Sequence, residues 1–233
     1  MPVTNALEPL RLELGEDRIE VRLLDLARAG DLEPLAWAYL SPPEAAEYAE
    51  LRHPLRRREW LGARVCLKLM VMRQGRIDDP RRCAVVKDPR GRPRLVFTAD
   101  SAAGVVADCS LSHKGRFVCA ATSSDAGARI GIDIEEISPR LRRLADQFAH
   151  ERDSLLGSRP TEERLAILWT LKEACSKVVG RGLAMPLRTV SCQELEPGRH
   201  RIATGALELT GRHTVHEGHV VALCVGTDLQ IER

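Results

Sequence analysis

Along residues 128–137, Ala128-Arg129-Ile130-Gly131-Ile132-Asp133-Ile134-Glu135-Glu136-Ile137, β-branched residues alternate with acids at a period of two, which predicts a strand. The alternation puts Asp133 and Glu135 on one face and Ile132 and Ile134 on the other. Further along, Leu165, Leu168, Cys175 and Val179 recur at helical spacing. Thr161 follows a proline and precedes Glu162 and Glu163, an N-cap with acids in the first turn, while Gly180 and Gly182 supply the stop. Residues 162–179 are therefore predicted to be helical. On that helix Trp169, Glu173 and Lys177 stand at i, i+4 and i+8 and form one stripe.

The same reading carried over the whole chain predicts a strand at 19–24, a helix opened by Pro43-Glu44, and a long helix from about Leu55 to Arg73 ending at Gly75. Short strands follow around 84–86, 94–97, 109–112 and 117–121. Ser123-Ser124-Asp125-Ala126-Gly127 marks a break. After it come the acidic strand, helices near 140–156 and 162–179, and strands around 189–193, 201–209 and 219–225. Strand, helices, then a run of strands occurs twice, which predicts an α+β fold of two similar halves, residues 1–127 and 128–233. No residue-level repeat is visible.

Composition narrows the function classes. A chain of 233 residues with 44% hydrophobic content can build one large core or two small ones, and a net charge of +2 does not call for nucleic acid. The arginines at 56–58 and at 81, 82, 90, 92 and 94 could make a basic face, but aromatics are only 3% and give no stacking platform. Glu8, Arg11 and Glu13 come before any long apolar run, and no stretch approaches the roughly 18 apolar residues of a membrane span, so the protein is expected to be soluble and cytoplasmic, with neither membrane nor nucleic acid as partner. Seven cysteines without a C-x-x-C, mostly in apolar runs, read as small core residues in a reducing compartment. His213, His216 and His219 look like a metal cluster, yet their spacing places successive imidazoles on opposite faces of a strand and Gly218 suggests a turn, so no metal is expected there.

The chemistry lies with the acids. Two carboxylates on one strand face repel each other, and partial burial raises the cost of ionising both unless a cation neutralises them. Magnesium, which takes oxygen ligands and commonly binds one or two carboxylates plus substrate phosphates, is the natural candidate. A lone D-x-E also suits an edge strand whose acids face water, and a Glu-Lys pair on a helix is usually a surface ion pair. Lysine usage separates these readings. Of 35 basic residues only Lys68, Lys87, Lys114, Lys172 and Lys177 are lysines, and two of the five sit in this one helix, where a compact point charge differs from a planar fork. Asp133, Glu135 and Glu173, with the ammonium groups of Lys172 and Lys177, together read as a magnesium-diphosphate site.

Gly131-Ile132-Asp133-Ile134-Glu135, with Trp169-x-x-Lys172-Glu173-x-x-x-Lys177 and Gly180-x-Gly182-Leu183-x-x-Pro186-Leu187, resembles the 4′-phosphopantetheinyl transferases of the surfactin-synthetase-activating type. Ser110-Leu111-Ser112-His113-Lys114-Gly115-Arg116-Phe117-Val118 resembles that family's short strand and Ser-His loop. Gly91-Arg92-Pro93 resembles its Gly-Lys/Arg-Pro turn, and Arg58-Glu59-Trp60-Leu61-Gly62 the start of its first long helix. The matches run in family order from about residue 41 to 187.

The resemblance implies an enzyme that moves the phosphopantetheine arm of coenzyme A onto a serine of an apo acyl, peptidyl or aryl carrier protein, as in fatty-acid, polyketide or nonribosomal peptide synthesis, releasing 3′,5′-ADP. It also implies two halves related by a pseudo-twofold, with the active site at their interface, and a monomer. By the same resemblance Asp133, Glu135 and Glu173 hold Mg2+ and Lys177 neutralises phosphate charge. Ser112 and His113 contact the nucleotide phosphates, and Arg58 and Arg92 face the 3′-phosphate or adenine end. The proton of the accepting serine goes either to Glu173 or to an acid after the D-x-E strand, where counting lands on Asp153, with Glu151 nearby. Two departures stand out. The segment Pro43 to Glu50 is acidic where the family is basic, which makes Arg52, Arg56 and Arg57 alternative 3′-phosphate ligands, and Ala149 replaces an aromatic after Phe148. The alternative from another class is a non-catalytic protein of the same fold that binds coenzyme A or a carrier protein.

Overall fold

Two antiparallel sheets, each crossed by one long helix, repeat a single topology. The structure, a computed structural model, describes residues 10–12, 14, 18–89, 91–97, 106–125 and 127–227. Glu8, Glu13, Arg90 and Ala126 lie outside the described residues. The chain divides into two units, Met1–Ala126 and Gly127–Arg233.

The first unit contains β1 (Leu10–Arg11), β2 (Ile19–Asp25), α1 (Ala36–Tyr39), α2 (Pro42–Glu50), α3 (Pro54–Arg73), β3 (Cys83–Lys87), β4 (Pro93–Phe97), β5 (Val106–Lys114) and β6 (Phe117–Ser123). Its sheet runs β1-β2-β6-β5-β4-β3. The second contains β7 (Ala128–Glu136), α4 (Ala145–Phe148), α5 (Thr161–Val179), β8 (Val190–Glu196), β9 (Arg199–Thr204), β10 (Leu207–His216) and β11 (His219–Thr227), in the order β7-β11-β10-β9-β8. Apart from β1, both sheets pair their first strand with their last and then step back through the chain. In both units the helices are inserted after the first strand. The α+β reading with two similar halves therefore holds, and the repeat is one of topology.

Each long helix packs on the first and last strands of its own sheet. Under α3 the core is built from Leu61, Val65 and Met70 with Leu95 and Val118; under α5, from Ile167, Leu171 and Val178 with Val220 and Ala222, all fully buried. Full removal of such side chains from water contributes about 1.5–3 kcal/mol each. All seven cysteines are buried, and none is in a disulfide. Among the described residues no helix is long and apolar enough to cross a membrane.

Three sequence expectations change. The helix expected at 140–156 is instead a 3-10 turn over Pro139–Leu144 and the single-turn α4. Past Ala149 the backbone is drawn to the sheet edge: Ser154 donates to Cys192 O (2.9 Å) and Glu194 donates back to Ser154 O (2.8 Å). Groups used that way cannot close helical turns. The strand expected over 201–209 is split by a turn at Gly205, whose φ of 57° lies in the left-handed region, into β9 and β10. Thr161 is the first helical residue, and Pro160 takes the cap position.

One clasp occurs in both units. Lys68, fully buried on α3, donates to Tyr39 O (2.7 Å), to Cys83 O (2.8 Å) and to the Glu44 carboxylate. Glu44 also accepts from Ser41 N (3.0 Å) and from Val85 N on β3 (3.0 Å). Lys172, fully buried on α5, donates to Phe148 O (2.6 Å) and to Asp153 Oδ2 (2.7 Å). Asp153 also accepts from His150 N (2.8 Å) and from Cys192 N on β8 (2.9 Å). Tyr39 and Phe148 close α1 and α4, the two acids follow them at the same remove, and Val85 and Cys192 are each the third residue of their strand. The repeat absent from the residue pattern is present in the contacts.

Candidate functional site

The face of β7 that carries Asp133 and Glu135 is turned towards α5. Lys177 donates from Nζ to Ile132 O (2.7 Å) and Asp133 Oδ1 (2.9 Å), which ties strand to helix. Asp133 and Glu135 are buried, and Glu135 Oε2 accepts from Arg140 (3.1 Å), a partner the sequence reading did not pick out. Its signal was faint: Arg140 is one of 35 basic residues, and only its place just after the strand puts it within reach. Glu173 lies one turn before Lys177 on the same side of α5, half-buried. Burial pushes its carboxyl above the usual range, the charges of Asp133 and Glu135 push the same way, and Lys177 opposes them. Three carboxylates, Asp133, Glu135 and Glu173, lie here beside Lys177 and Arg140, and all three are oxygen donors. Oxygen donors of this kind are the ligand type that a hard divalent cation such as magnesium takes. Trp169, at the head of the stripe, packs edge-on against Phe148 with ring centroids 5.2 Å apart.

Asp153 has both oxygens engaged, with Lys172 and His150 N at one and with Cys192 N at the other, and it follows a turn where the sequence predicts a helix. These contacts are those of a structural anchor. Glu151 is exposed, with its nearest cation Arg152 at 4.0 Å.

In the first unit Ser112 and His113 are among the last residues of β5, which ends at Lys114 just before a tight turn at Gly115. His113 is clamped by α3: its Nδ1 lies 3.1 Å from Glu59 Oε2, and its Nε2 meets the guanidinium of Arg56. Arginine can only donate, so Nε2 accepts and Nδ1 carries the hydrogen towards Glu59. Arg56, His113, Arg64 and Lys87 line a hollow of about 420 Å³ together with Trp60, Leu111 and Glu47. Arg64 is stacked 3.2 Å over the Trp60 ring, and burial pulls its pKa down to about 10.

Neither Arg58 nor Arg92 lines that hollow. Arg58 points off another face of α3, towards a second hollow lined by Asp31, Glu33 and Leu55, and donates to Leu26 O (2.6 Å) and Gly30 O (2.9 Å). Arg92 is buried and donates twice to Asp108 (2.8 and 3.0 Å). Arg57, another alternative, is spent on Glu33, Tyr48 O and Leu51 O. Arg52 is exposed. Helical phase and a buried carboxylate thus place Arg58 and Arg92 away from this hollow, on whose wall Arg56 stands.

His216 and His219 face each other across the β10–β11 turn, while His213 turns inward to His200, with Nε2 of His200 2.7 Å from Nδ1 of His213. Glu194 brings an oxygen close to both rings. Its carboxylate is saturated by Arg159, Leu156 N and Gly198 N, so it acts as a loop anchor. Burial lowers the His200 pKa to about 4 and lowers that of His213, against the pull of Glu194 and with the push of Arg159. In the unfolded chain both rings titrate near 6.5, so that chain binds the extra protons between there and about 4. Stability from the neutral pair is complete above about 6.5 and is lost as pH falls through that window, about 3 kcal/mol for His200 by the time pH 4 is reached. Thermal melts at about pH 7.5 and about pH 5 should show this fall, and His200→Leu should flatten it. An equal fall in His200→Leu would assign the effect elsewhere.

The profile of the 4′-phosphopantetheinyl transferase superfamily matches residues 129–224. The chain is 32% identical over 127 residues to the 4′-phosphopantetheinyl transferase ffp of Bacillus subtilis, covering 49% of this chain and 53% of that protein. It is 33% identical over 108 residues to the holo-[acyl-carrier-protein] synthase of Dinoroseobacter shibae, covering 41% of this chain and 78% of that one. A crystal structure of Thermotoga maritima holo-[acyl-carrier-protein] synthase aligns with a TM-score of 0.38 at 21% identity, covering 60% and 79% of the two chains. The chain spans about half the length of the first of these relatives. The matched stretch holds all of α5 and β7 from Arg129 onward, and so the acids and the lysine that join them. Sharing a third of its aligned residues with a synthase of which it covers more than three quarters, the chain belongs to the 4′-phosphopantetheinyl transferase superfamily.

Proposed function

We propose that the protein transfers the 4′-phosphopantetheine arm of coenzyme A to a serine of an apo carrier protein, acyl, peptidyl or aryl, and releases 3′,5′-ADP. The observation that carries this reading is the Asp133–Lys177 contact, which fastens the acidic face of β7 to the side of α5 that bears Glu173. Asp133, Glu135 and Glu173 would hold Mg2+. When bound, that ion offsets the charge of the diphosphate oxygens. The chain's own residues do the rest. Lys177 adds positive charge beside the diphosphate. Glu173, which is not locked into a clasp and stands on the helix side that faces β7, takes the proton from the serine Oγ as that oxygen bonds to phosphorus and the bond to 3′,5′-ADP breaks. Burial of Asp133 and Glu135 keeps bulk water from competing for these contacts.

In the first unit, Ser112, His113 and Arg56 would contact the nucleotide phosphates; His113 and Arg56 line the hollow there with Lys87 and Arg64, and Ser112 is not among its lining residues. The reaction would run in the cytoplasm, where coenzyme A and carrier proteins meet, with the protein as a monomer. Incubating it with coenzyme A, Mg2+ and several apo carrier proteins should add the mass of one phosphopantetheine arm to at least one of them. No mass gain on any carrier, with coenzyme A bound, would point to a binding protein without transfer.

The cationic hollow gives a sharper test of the nucleotide end. Arg56→Ala should weaken coenzyme A roughly ten- to a hundredfold more than 3′-dephospho-coenzyme A, because a charge-assisted contact is lost for the former alone. Arg92→Ala should affect the two ligands equally, since that side chain serves Asp108. Equal losses in Arg56→Ala would remove Arg56 from the 3′-phosphate.

A further inference from the structure

Gly131, Asp133 and Glu135 alternate on β7 and therefore share the face turned towards α5. A Cβ placed on Gly131 would come within 2.0 Å of Ala174 O and 3.0 Å of Val178 N. Ala174 and Val178 directly follow Glu173 and Lys177. Both obstacles are helix backbone, which cannot swing aside as a side chain can. At Gly62 and Gly211 the nearest obstacle is a side-chain methyl at 2.5 Å, which rotation can relieve. The backbone of α5 therefore touches that of β7 one step along the strand from Asp133, at the level of the helix turn that bears the site.

We propose that Gly131 is a positioning residue: it lets α5 press onto β7 and so sets the gap across which Asp133 and Glu135 face Glu173 and Lys177, an inference that rests on reading those acids as metal ligands. Relief of a 2.0 Å contact requires the helix to move outward by more than an ångström, since ordinary van der Waals contact begins near 3.4 Å. The reach of an aspartate does not stretch by that amount. The reach of a glutamate does, being longer than aspartate by one methylene.

That difference supplies the test. Mn2+ is titrated into the full-length protein, alone and with coenzyme A, and followed by electron paramagnetic resonance, with thermal melting to establish folding. Gly131→Ala should bind Mn2+ at least tenfold more weakly than the wild type while keeping a cooperative melt. Asp133→Glu alone should also lose at least tenfold, because the added methylene does not fit the native gap. Gly131→Ala/Asp133→Glu should recover most of the loss, which a merely structural defect would not do. Wild-type Mn2+ affinity in folded Gly131→Ala, or a double variant no tighter than Gly131→Ala, overturns the inference. If Gly131→Ala does not fold, Asp133→Glu decides: undiminished affinity overturns the inference and a tenfold loss supports it. Absence of Mn2+ binding by the wild type would instead remove the metal reading of the acids, and with it this inference.

Discussion

Glu173→Gln should lower phosphopantetheine transfer by roughly a hundred- to a thousandfold while leaving the fold intact, because a neutral amide keeps the shape but gives up both the proton acceptor and one charge of the cation site. The same change removes one of three crowded like charges, so the melting temperature should stay level or rise. Asp133→Ala should show a comparable loss of transfer, and it also frees Lys177 from its carboxylate partner. Mass spectrometry of an apo carrier protein, sampled over time at limiting Mg2+, measures the rate. Near-normal turnover in either variant would sink the assignment of these acids.

The largest effect on stability should come from the clasps. Lys172→Met strands Asp153 as a buried charge with two backbone donors and no counter-ion, a defect of about 3–5 kcal/mol that lowers the melting temperature by on the order of 10 °C in a chain of this size. Lys68→Met should destabilise the first unit too, but by less, because Glu44 keeps Arg64 3.9 Å away as a counter-ion. Asp153→Asn is milder, because the amide oxygen still accepts from Cys192 N, but it too should register as lost stability. Whatever fraction of Asp153→Asn remains folded should transfer at close to the wild-type rate. A folded Asp153→Asn with wild-type stability and a collapsed rate would restore that residue to the proton path.

Period and punctuation made much of this legible in the chain. The acidic strand, α3, α5 and its stop at Gly180, where φ is 76°, follow from alternation, helical spacing and a left-handed cap that glycine takes without strain. What period could not supply was the partner of each charge. Asp153 reads the same in sequence whether it meets a substrate proton or a buried lysine, and only the approach of β8 to the turn after α4 decides. Arg56 and Arg58 lie two positions apart, which on a helix means nearly opposite directions, and the sequence does not say which direction holds the hollow. The His200–His213 pair joins two strands through a register that no spacing rule fixes.

Setting Lys68 against Lys172 lines α3 up with α5 and brings Leu69 to the place of Glu173 and Arg73 to that of Lys177. Leu69 is buried where Glu173 is half-exposed. The scaffold thus stands in one half with a plain hydrocarbon where the other half carries a strained acid. The protein contains its own control: the first half shows what the architecture looks like when it is free to optimise packing, and the second shows how few positions must be surrendered to turn that architecture towards chemistry.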